Sequence, residues 1–222
     1  MSNKKFTKSG IPIKRSVSDV PIFLDAKLWD ELEAMINVEG WPYKTNIALF
    51  KLRDRALICL LILTGLRISE ALQLKRLQFR VYKRKILLAN VKTVKGGLLR
   101  NKIVLPKVPG RHLTFFTLVF LEWLNTIPNE ESYVFPKGTS LRAGSFLWDK
   151  PLSTKRAFWI IKTTTGKFPH WFRAVCENIY GHIIFKNDAW KLKGFMGLKR
   201  LDSTSPYVKG TWEDNLAEIY KL

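Results

Sequence analysis

The chain has 222 residues and a mass of 25.8 kDa, which is typical of one domain with short flanking arms. Hydrophobic residues make up 46% of it and charged residues 25%, so it can bury a core and is not a disordered, collagen-like or low-complexity sequence. Its 38 Lys and Arg residues against 18 Asp and Glu residues leave a net charge of +20. This excess favours a nucleic-acid-binding protein over an enzyme for acidic substrates or a membrane-surface protein.

Cysteine content and hydropathy indicate the compartment. Cys59 and Cys176 are too few for a disulfide framework, and neither lies in a cluster of metal ligands. The longest apolar run, residues 56–63, is shorter than the roughly 18–20 residues that cross a bilayer, and the first residues lack the apolar core of a signal peptide. We therefore expect a soluble protein of a reducing compartment, the cytoplasm, with no membrane partner.

The first part of the chain combines a basic segment with helical patterns. Residues 1–20 are rich in lysine and contain glycine and proline, which predicts a flexible basic arm. Asp25 is a suitable N-cap, and the helix predicted after it has apolar residues at helical spacing: Leu28, Trp29, Leu32, Met35 and Ile36. A long apolar helix is predicted over residues 48–63; Gly65 follows its end, and another helix begins near Ile68.

The pattern then changes to strands and returns to helices. Three strands are predicted, over residues 79–82, 85–93 and 98–105, with a glycine pair at 96–97 as the turn. Further helices are predicted over residues 113–124, 153–165, 170–184, 189–196 and 212–222, and residues 128–150 are predicted to be irregular. The expected fold class is mixed, mostly α with a small antiparallel β-sheet, in one domain over residues 21–210.

The middle of the chain is strongly basic. Residues 75–111 contain twelve Lys or Arg and no Asp or Glu, whereas surface charge normally mixes the two signs. We therefore expect the sheet to track nucleic-acid phosphates, a contact that supplies affinity but not sequence preference. The candidate DNA-binding residues are Lys75, Arg76, Lys83, Arg84, Lys95, Arg100 and Lys102.

Five residues that lie far apart in the chain form an ordered set suited to phosphate chemistry. Arg67 lies at the turn between two predicted helices, where free backbone amides and a guanidinium group form an anion site. Lys92 follows on the predicted hairpin. His170 and Arg173 are three residues apart and share one helical face. Tyr207 follows 34 residues after Arg173.

This set resembles the motifs of the tyrosine recombinases, the phage-integrase-like family of DNA strand-exchange enzymes. Residues 64–72, TGLRISEAL, are similar to the family's first arginine box, and the segment from Lys92 is similar to its β-hairpin lysine. Residues 170–173 resemble its H-x-x-R box, and residues 204–207 its T-x-x-Y nucleophile segment. The resemblance covers roughly residues 22–210 and implies the fold of the family's catalytic domain.

The resemblance also implies a role for each catalytic residue. Tyr207 would attack the scissile phosphate, which gives a 3′-phosphotyrosyl link and a free 5′-hydroxyl. Arg67 and Arg173 would bind the non-bridging oxygens, where charge gathers in the transition state. Lys92 would protonate the departing 5′-oxygen, and His170 would hydrogen-bond the phosphate or take the tyrosine proton. Such a site needs no metal ion and no nucleotide cofactor.

Two positions depart from the family pattern. Ala174 stands where the family often has a second histidine, and Leu198 stands where it has a histidine or tryptophan donor. Lys199 is our substitute for the second of these donors, and Arg200 is the alternative. Lys95 lies on the same predicted hairpin and is the alternative hairpin lysine.

The resemblance implies partners as well. The expected partner is double-stranded DNA, bound by a homo-oligomer that forms a tetramer on synapsed DNA. Residues 211–222 are amphipathic and would dock on a neighbouring protomer or on their own chain. About twenty residues precede the predicted fold, so we expect an accessory domain or protein to clamp the DNA, unless the basic arm does so as it orders.

Three functions fit these observations. The first is a site-specific recombinase or integrase, for which the motifs do not specify the DNA site or the choice among integration, excision and dimer resolution. The second is a type IB topoisomerase-like enzyme, which shares the phosphotyrosine chemistry and relaxes supercoiled DNA. The third is a DNA-binding protein of the same fold with weakened catalysis, which the apolar residues Ala174 and Leu198 would explain.

Overall fold

The computed structural model describes residues 26–37, 48–93, 99–107, 112–139 and 145–198. The helices in these ranges are α1 (Ala26–Asn37), α2 (Ala48–Thr64), α3 (Ile68–Ala71), α4 (His112–Leu124), α5 (Thr154–Thr165), α6 (Pro169–Asn178) and α7 (Ala189–Met196). The strands are β1 (Phe79–Val81), β2 (Lys85–Lys92), β3 (Leu99–Pro106), β4 (Pro136–Gly138) and β5 (Phe146–Pro151). A 3-10 turn over Arg76–Gln78 and a π-helical turn over Ile179–Ile184 complete the described elements.

Helix α2 lies at the centre of the hydrophobic core. Its residues 56–64 are all buried, and it packs against α1, α4, α5 and α6. A helix whose sides are almost all apolar suits this position, because none of its faces in that stretch needs water. Among the described helices, none is long and apolar enough to span a bilayer.

The first sheet is antiparallel, with the strand order β1-β2-β3. Leu88 pairs with Ile103, and both side chains are buried in the core. Further along, Val91 pairs with Arg100 and both are again buried, so the alternation of buried and exposed positions breaks between the two pairs. Asn90, with a φ of 56°, lies at this break. Strict alternation would expose Val91 and Arg100. Because of the break, both side chains turn toward the protein interior instead.

Strands β4 and β5 form a second antiparallel sheet in the segment that the sequence predicts to be irregular. The prediction of a single small sheet is therefore wrong. Proline and glycine are depleted in strands, and Pro136, Gly138 and Pro151 hide this pair in the sequence. The ring of Phe146 packs edge-on against Trp123 at 5.5 Å, so the second sheet covers one side of the core.

The predicted fold class is confirmed, and within the described residues the helices predicted from periodicity are present. Helices α2, α4, α5 and α7 agree with their predicted bounds to within one residue. The helix predicted over residues 170–184 is α-helical only as far as Asn178 and continues as the π-helical turn. The basic arm over 1–20, the glycine turn at 96–97 and the helix over 212–222 lie outside the described residues.

Candidate active site and nucleic-acid interface

The candidate active site is built around the turn between α2 and α3. Gly65 follows α2 with a φ of +58°, and Arg67 is the N-cap of α3. The buried carboxylate of Glu70 accepts hydrogen bonds from the backbone amide and from Nη1 of Arg67, both at 2.9 Å. This reciprocal contact fixes Arg67 at the helix start, while 28% of its side chain stays exposed. Arg67 can therefore meet a ligand from solvent.

Replacing Gly65 with alanine is expected to destabilise the fold by about 2–4 kcal/mol, through backbone strain and overpacking. The positive φ disfavours a side chain, and a Cβ atom there would lie 2.6 Å from Cε of Met196 and 3.1 Å from Sγ of Cys176. Urea denaturation measures the loss. Gly194→Ala is the control, since a Cβ atom at Gly194 meets nothing within 4 Å. The control should gain about 0.5–1 kcal/mol in helix α7, and equal effects would contradict the close packing at Gly65.

Arg173 reaches the same turn from helix α6. It is 4% exposed, and its Nη1 atom donates to the backbone carbonyl of Gly65. Its Nε atom lies 3.2 Å from Oε1 of Glu177, one helical turn further along. Its Nη2 atom has no hydrogen-bond partner among the described residues. Arg173 is thus oriented by two contacts and keeps one donor nitrogen for a ligand.

His170 lies in the first turn of α6, directly after Pro169. Although His170 is exposed at the surface, partial desolvation lowers its pKa below the ordinary value, and the positive charges of Arg173 and Arg67 lower it further. The imidazole is therefore neutral at neutral pH and lies within electrostatic reach of both arginines. A neutral imidazole can accept a hydrogen bond or a proton.

A His170→Gln variant is expected to lose less stability on acidification than the wild-type protein. Because the folded pKa lies below 6.5, the unfolded chain binds a proton more readily, so stability falls as the pH drops from 6.5 toward the folded pKa. Thermal denaturation between about pH 7.5 and about pH 5 measures the difference. His182→Gln is the control, because His182 lies on the π-helical turn and contacts Asn187. An equal pH dependence in all three proteins would contradict the placement of His170 beside the arginines.

The end of strand β2 carries Lys92, which is exposed. The next residue, Thr93, is buried, and its methyl carbon would lie 3.1 Å from a Cβ atom placed on Gly197. The same Cβ atom would lie 3.0 Å from Cγ of Arg100. The end of the hairpin and the end of α7 are therefore in close contact. The other hairpin lysine, the substitute donor and the nucleophile lie outside the described residues: Lys95, Lys199 and Tyr207.

Arg100 lies inside the protein rather than on the exposed hairpin face predicted for it. It is 4% exposed, its Nη2 atom donates to the carbonyl of Thr64 at 2.9 Å, and its guanidinium lies 5.0 Å from the ring centre of Phe195. Strict alternation from Ile103 would turn residue 100 outward. The break in alternation next to Asn90 turns it inward instead.

Other predicted DNA-binding residues lie at the protein surface. Lys83, Arg84 and Lys102 are exposed, and none of them forms an ion pair with a described residue. Lys75 pairs with a surface glutamate at 2.8 Å, and Arg76 donates to a backbone carbonyl at 2.9 Å. The described residues thus present exposed cations without ion pairs between β1 and β2 and on β3, and two engaged cations before β1.

The two positions that depart from the family pattern carry apolar side chains, and both contact the apolar interior of the protein. Ala174 is buried, and Leu198 is half-buried and packs against the hydrophobic core. Neither side chain offers a hydrogen bond. Any further donor to a ligand at the turn must come from another residue.

Sequence reasoning missed the two acids that hold the arginines. Glu70 follows Arg67 by three residues, and Glu177 follows Arg173 by four. Both spacings place an acid beside an arginine on the same side of a helix, so the signal is present in the sequence. Each buried glutamate orients its arginine and offsets part of its charge.

Comparisons with known proteins identify the fold. No family model and no curated protein matches the chain. The structure of the XerH site-specific recombinase bound to its difH substrate matches at 18% identity and a TM-score of 0.62, over 98% of this chain and 59% of that chain. The structure of the Tn1549 transposon integrase in complex with circular intermediate DNA matches at 16% identity and a TM-score of 0.56, over 96% of this chain and 69% of that chain. The structure of a lambda integrase tetramer bound to a Holliday junction matches at 14% identity and a TM-score of 0.51, over 83% of this chain and 47% of that chain.

These neighbours are tyrosine recombinases, and the chain has the fold of their catalytic domains. The resemblance that the sequence motifs indicate is thereby confirmed at the level of the fold. The chain spans 59% of the length of the XerH chain.

Proposed function

We propose that the protein is a site-specific tyrosine recombinase or integrase that cleaves and rejoins double-stranded DNA through Tyr207. The observation that carries this proposal is a pair of arginines, Arg67 and Arg173, that buried glutamates hold at one turn in a recombinase fold. Two guanidinium groups at one place suit the non-bridging oxygens of a phosphodiester, because each offers a planar fork of donors.

In the proposed cleavage step, the phenolic oxygen of Tyr207 forms a bond to phosphorus as the bond from phosphorus to the 5′-oxygen breaks. The hydroxyl of Tyr207 loses its proton and the 5′-oxygen gains one, so a 3′-phosphotyrosyl ester and a 5′-hydroxyl result. A 5′-hydroxyl from another strand reverses these steps. The ester conserves the energy of the phosphodiester bond, so rejoining needs no cofactor.

Other residues provide the remaining chemistry in this proposal. Arg67 and Arg173 stabilise the charge that develops on the non-bridging oxygens. His170, neutral because its pKa is lowered, accepts the tyrosine proton or a hydrogen bond. Lys92, exposed at the end of β2, donates the proton that the 5′-oxygen takes, and Lys199 supplies a further donor.

The proposed partner is double-stranded DNA, bound by exposed residues of the three-stranded sheet and its connections, such as Lys83 and Arg84 between β1 and β2 and Lys102 on β3. Their exposure and lack of described ion pairs support this assignment. We also propose a tetramer on synapsed DNA, the assembly in which lambda integrase is found on a Holliday junction. An accessory DNA-clamping domain or protein and a cytoplasmic location complete the proposal.

Covalent trapping tests the proposed function. The wild-type protein is incubated with nicked suicide duplexes made from the DNA that flanks its own gene. In such a duplex the 5′-hydroxyl fragment diffuses away after cleavage, so rejoining fails and the phosphotyrosyl link persists. A protein–DNA adduct that resists denaturant is the expected result.

One observation favours a second candidate, a DNA-binding protein of this fold with weakened catalysis. Leu198 fills the family's donor position with an apolar side chain that packs on the core. Salt-dependent DNA binding without any adduct would support this candidate and contradict the first. Relaxation of supercoiled DNA without strand exchange would indicate a topoisomerase-like activity instead.

A further inference from the structure

Arg100 is a buried cation that forms no ion pair with any described residue. It is 4% exposed, and its Nη2 atom donates to the carbonyl of Thr64. Its Nε and Nη1 atoms have no hydrogen-bond partner among the described residues. Arg53, which is buried to a similar degree, instead pairs with Asp54 at 2.6 Å and donates to the carbonyl of Pro136. The described residues thus satisfy Arg53 and leave two nitrogen atoms of Arg100 without a partner.

An unpaired buried guanidinium group opposes folding. Burial lowers the pKa of Arg100 to about 10; the positive charge of Arg173 contributes to the decrease, and Cys176 and the Glu70 carboxylate offset part of it. The group is still protonated at neutral pH, so the protein carries both the charge and two donor nitrogens without partners. Such a cost is typical of a residue that a ligand completes.

The position of Arg100 indicates which ligand this is. Its Nη2 atom binds the carbonyl of Thr64, and Nη1 of Arg173 binds the carbonyl of the next residue, Gly65. The Nη2 atom of Arg173 also has no partner among the described residues. Two guanidinium groups with unpartnered N–H donors therefore bind the carbonyls of adjacent residues, and their positive charges repel each other. An anion with several acceptor oxygens, such as a phosphate, relieves the repulsion and accepts from both.

The surroundings of Arg100 hold its guanidinium group in place. The ring of Phe195 lies 5.0 Å away, and Gly197 has no side chain at a point where a Cβ atom would lie 3.0 Å from Cγ of Arg100. Leu198, the next residue, packs against the core and offers no donor. Arg100 is thus a donor held in place beside Gly197, the residue that precedes the apolar Leu198.

We propose that Arg100 is a third phosphate-binding guanidinium of the active site and donates from Nε and Nη1 to the scissile phosphate beside Arg173. This inference rests on the proposed function and adds to it a residue from the β-hairpin. Arg100 supplies the hydrogen bonds that Leu198 does not. The unpartnered nitrogens of both arginines are shielded from solvent, so a phosphate, free or in DNA, must reach them through a local opening of the site.

The first test measures anion binding and needs no activity. The melting temperature of the wild-type protein is compared in inorganic phosphate and in chloride at equal ionic strength. We expect phosphate to raise it, and Arg100→Met and Arg100→Lys to lose most of the phosphate-specific increase. Arg80→Met is the matched control, because Arg80 is exposed on the same sheet and should keep the increase.

The second test measures the rate of adduct formation on the suicide duplex. Arg100→Met is expected to lower this rate by about 10²–10³-fold, as loss of one donor to a developing oxyanion does. Arg100→Lys keeps the charge but loses the planar fork, and is expected to lower the rate by at least about tenfold. If Arg100→Met does not fold, Arg100→Lys decides the question in both tests.

The outcomes separate this inference from the proposed function. Unchanged phosphate stabilisation and unchanged adduct rates in the folded variants would overturn it, and Arg100 would then be a structural residue. A wild-type protein without adduct, but with phosphate stabilisation that depends on Arg100, would overturn the recombinase activity and keep the anion site. Loss of the rate without loss of phosphate stabilisation would overturn direct contact with the phosphate.

Discussion

A Tyr207→Phe variant is expected to form no covalent adduct with suicide DNA, a loss of at least about 10⁴-fold, of the order seen when a catalytic nucleophile is removed. The change deletes a single oxygen, the one that would bond to phosphorus, and leaves the aromatic ring. DNA affinity should stay within about threefold of wild type, because phosphate contacts from the basic surface supply most of it. Denaturing electrophoresis of labelled DNA measures the adduct, and a filter-binding or mobility assay measures affinity.

Tyr220→Phe is the matched control for this experiment. Tyr220 lies near the chain end on an amphipathic segment, and its variant is expected to form the adduct at the wild-type rate. An adduct that persists in Tyr207→Phe would place the nucleophile elsewhere. Loss of the adduct in both variants would mean that a general effect on the C-terminal segment, not the loss of a nucleophile, explains the result.

Arg173→Lys is expected to lower the rate of adduct formation by about 10²–10³-fold. Lysine keeps a positive charge near Glu177, so the buried carboxylate is not left alone. It loses the planar fork, which in arginine binds the Gly65 carbonyl and Glu177 and still leaves one nitrogen for the phosphate. The rate constant is measured in single turnover on the suicide duplex, and urea denaturation measures stability in parallel.

Arg53→Lys controls for the general cost of replacing a buried arginine. Arg53 is 2% exposed and also combines an acidic partner, Asp54, with a backbone carbonyl. Its replacement is expected to lower stability, with little effect on the rate constant of the folded protein. A similar rate loss in both variants would mean that Arg173 acts through the fold and not through the phosphate.

Much of the fold could be predicted because apolar periodicity reports burial directly. Leu28, Leu32 and Ile36 recur at helical spacing and are all buried on one side of α1. The β4–β5 pair could not be predicted, because Pro136 and Gly138 are residues that strands avoid. That pair is held by its aromatic contacts with the core, such as Phe146 with Trp123, which no local pattern reveals.

The burial of Arg100 was not predictable for a different reason. In a basic segment, a strand arginine is expected to face solvent, and strict alternation from Ile103 gives the same answer. The break in alternation at Asn90 reverses which side chains face solvent beyond it, so that Val91 and Arg100 are buried. Single-residue breaks of this kind have little signature in a sequence without a glycine or a proline at the break.

The motifs named Arg67, His170 and Arg173 as candidate site residues but could not show what holds them. Arg67, His170 and Arg173 lie around one turn, as their order in the chain suggested. The carbonyl that orients Arg173 belongs to Gly65, 108 residues earlier, and a sequence does not report which distant carbonyl an arginine binds. The glutamates were readable, because each follows its arginine by three or four residues.

The carbonyls of Thr64 and Gly65 accept hydrogen bonds from Arg100 and Arg173, which lie 36 and 108 residues further along the chain. During synthesis on a ribosome, Arg67 and Arg100 emerge well before Arg173. An unfinished polypeptide therefore contains the turn but lacks the hydrogen bond from Arg173 to Gly65. Contacts of such long sequence separation also carry a large loop-closure cost, which slows folding. A nascent chain or proteolytic fragment that ends between the two arginine boxes keeps the turn and Arg67 but lacks Arg173, so it cannot form the two-arginine phosphate site proposed for the intact chain.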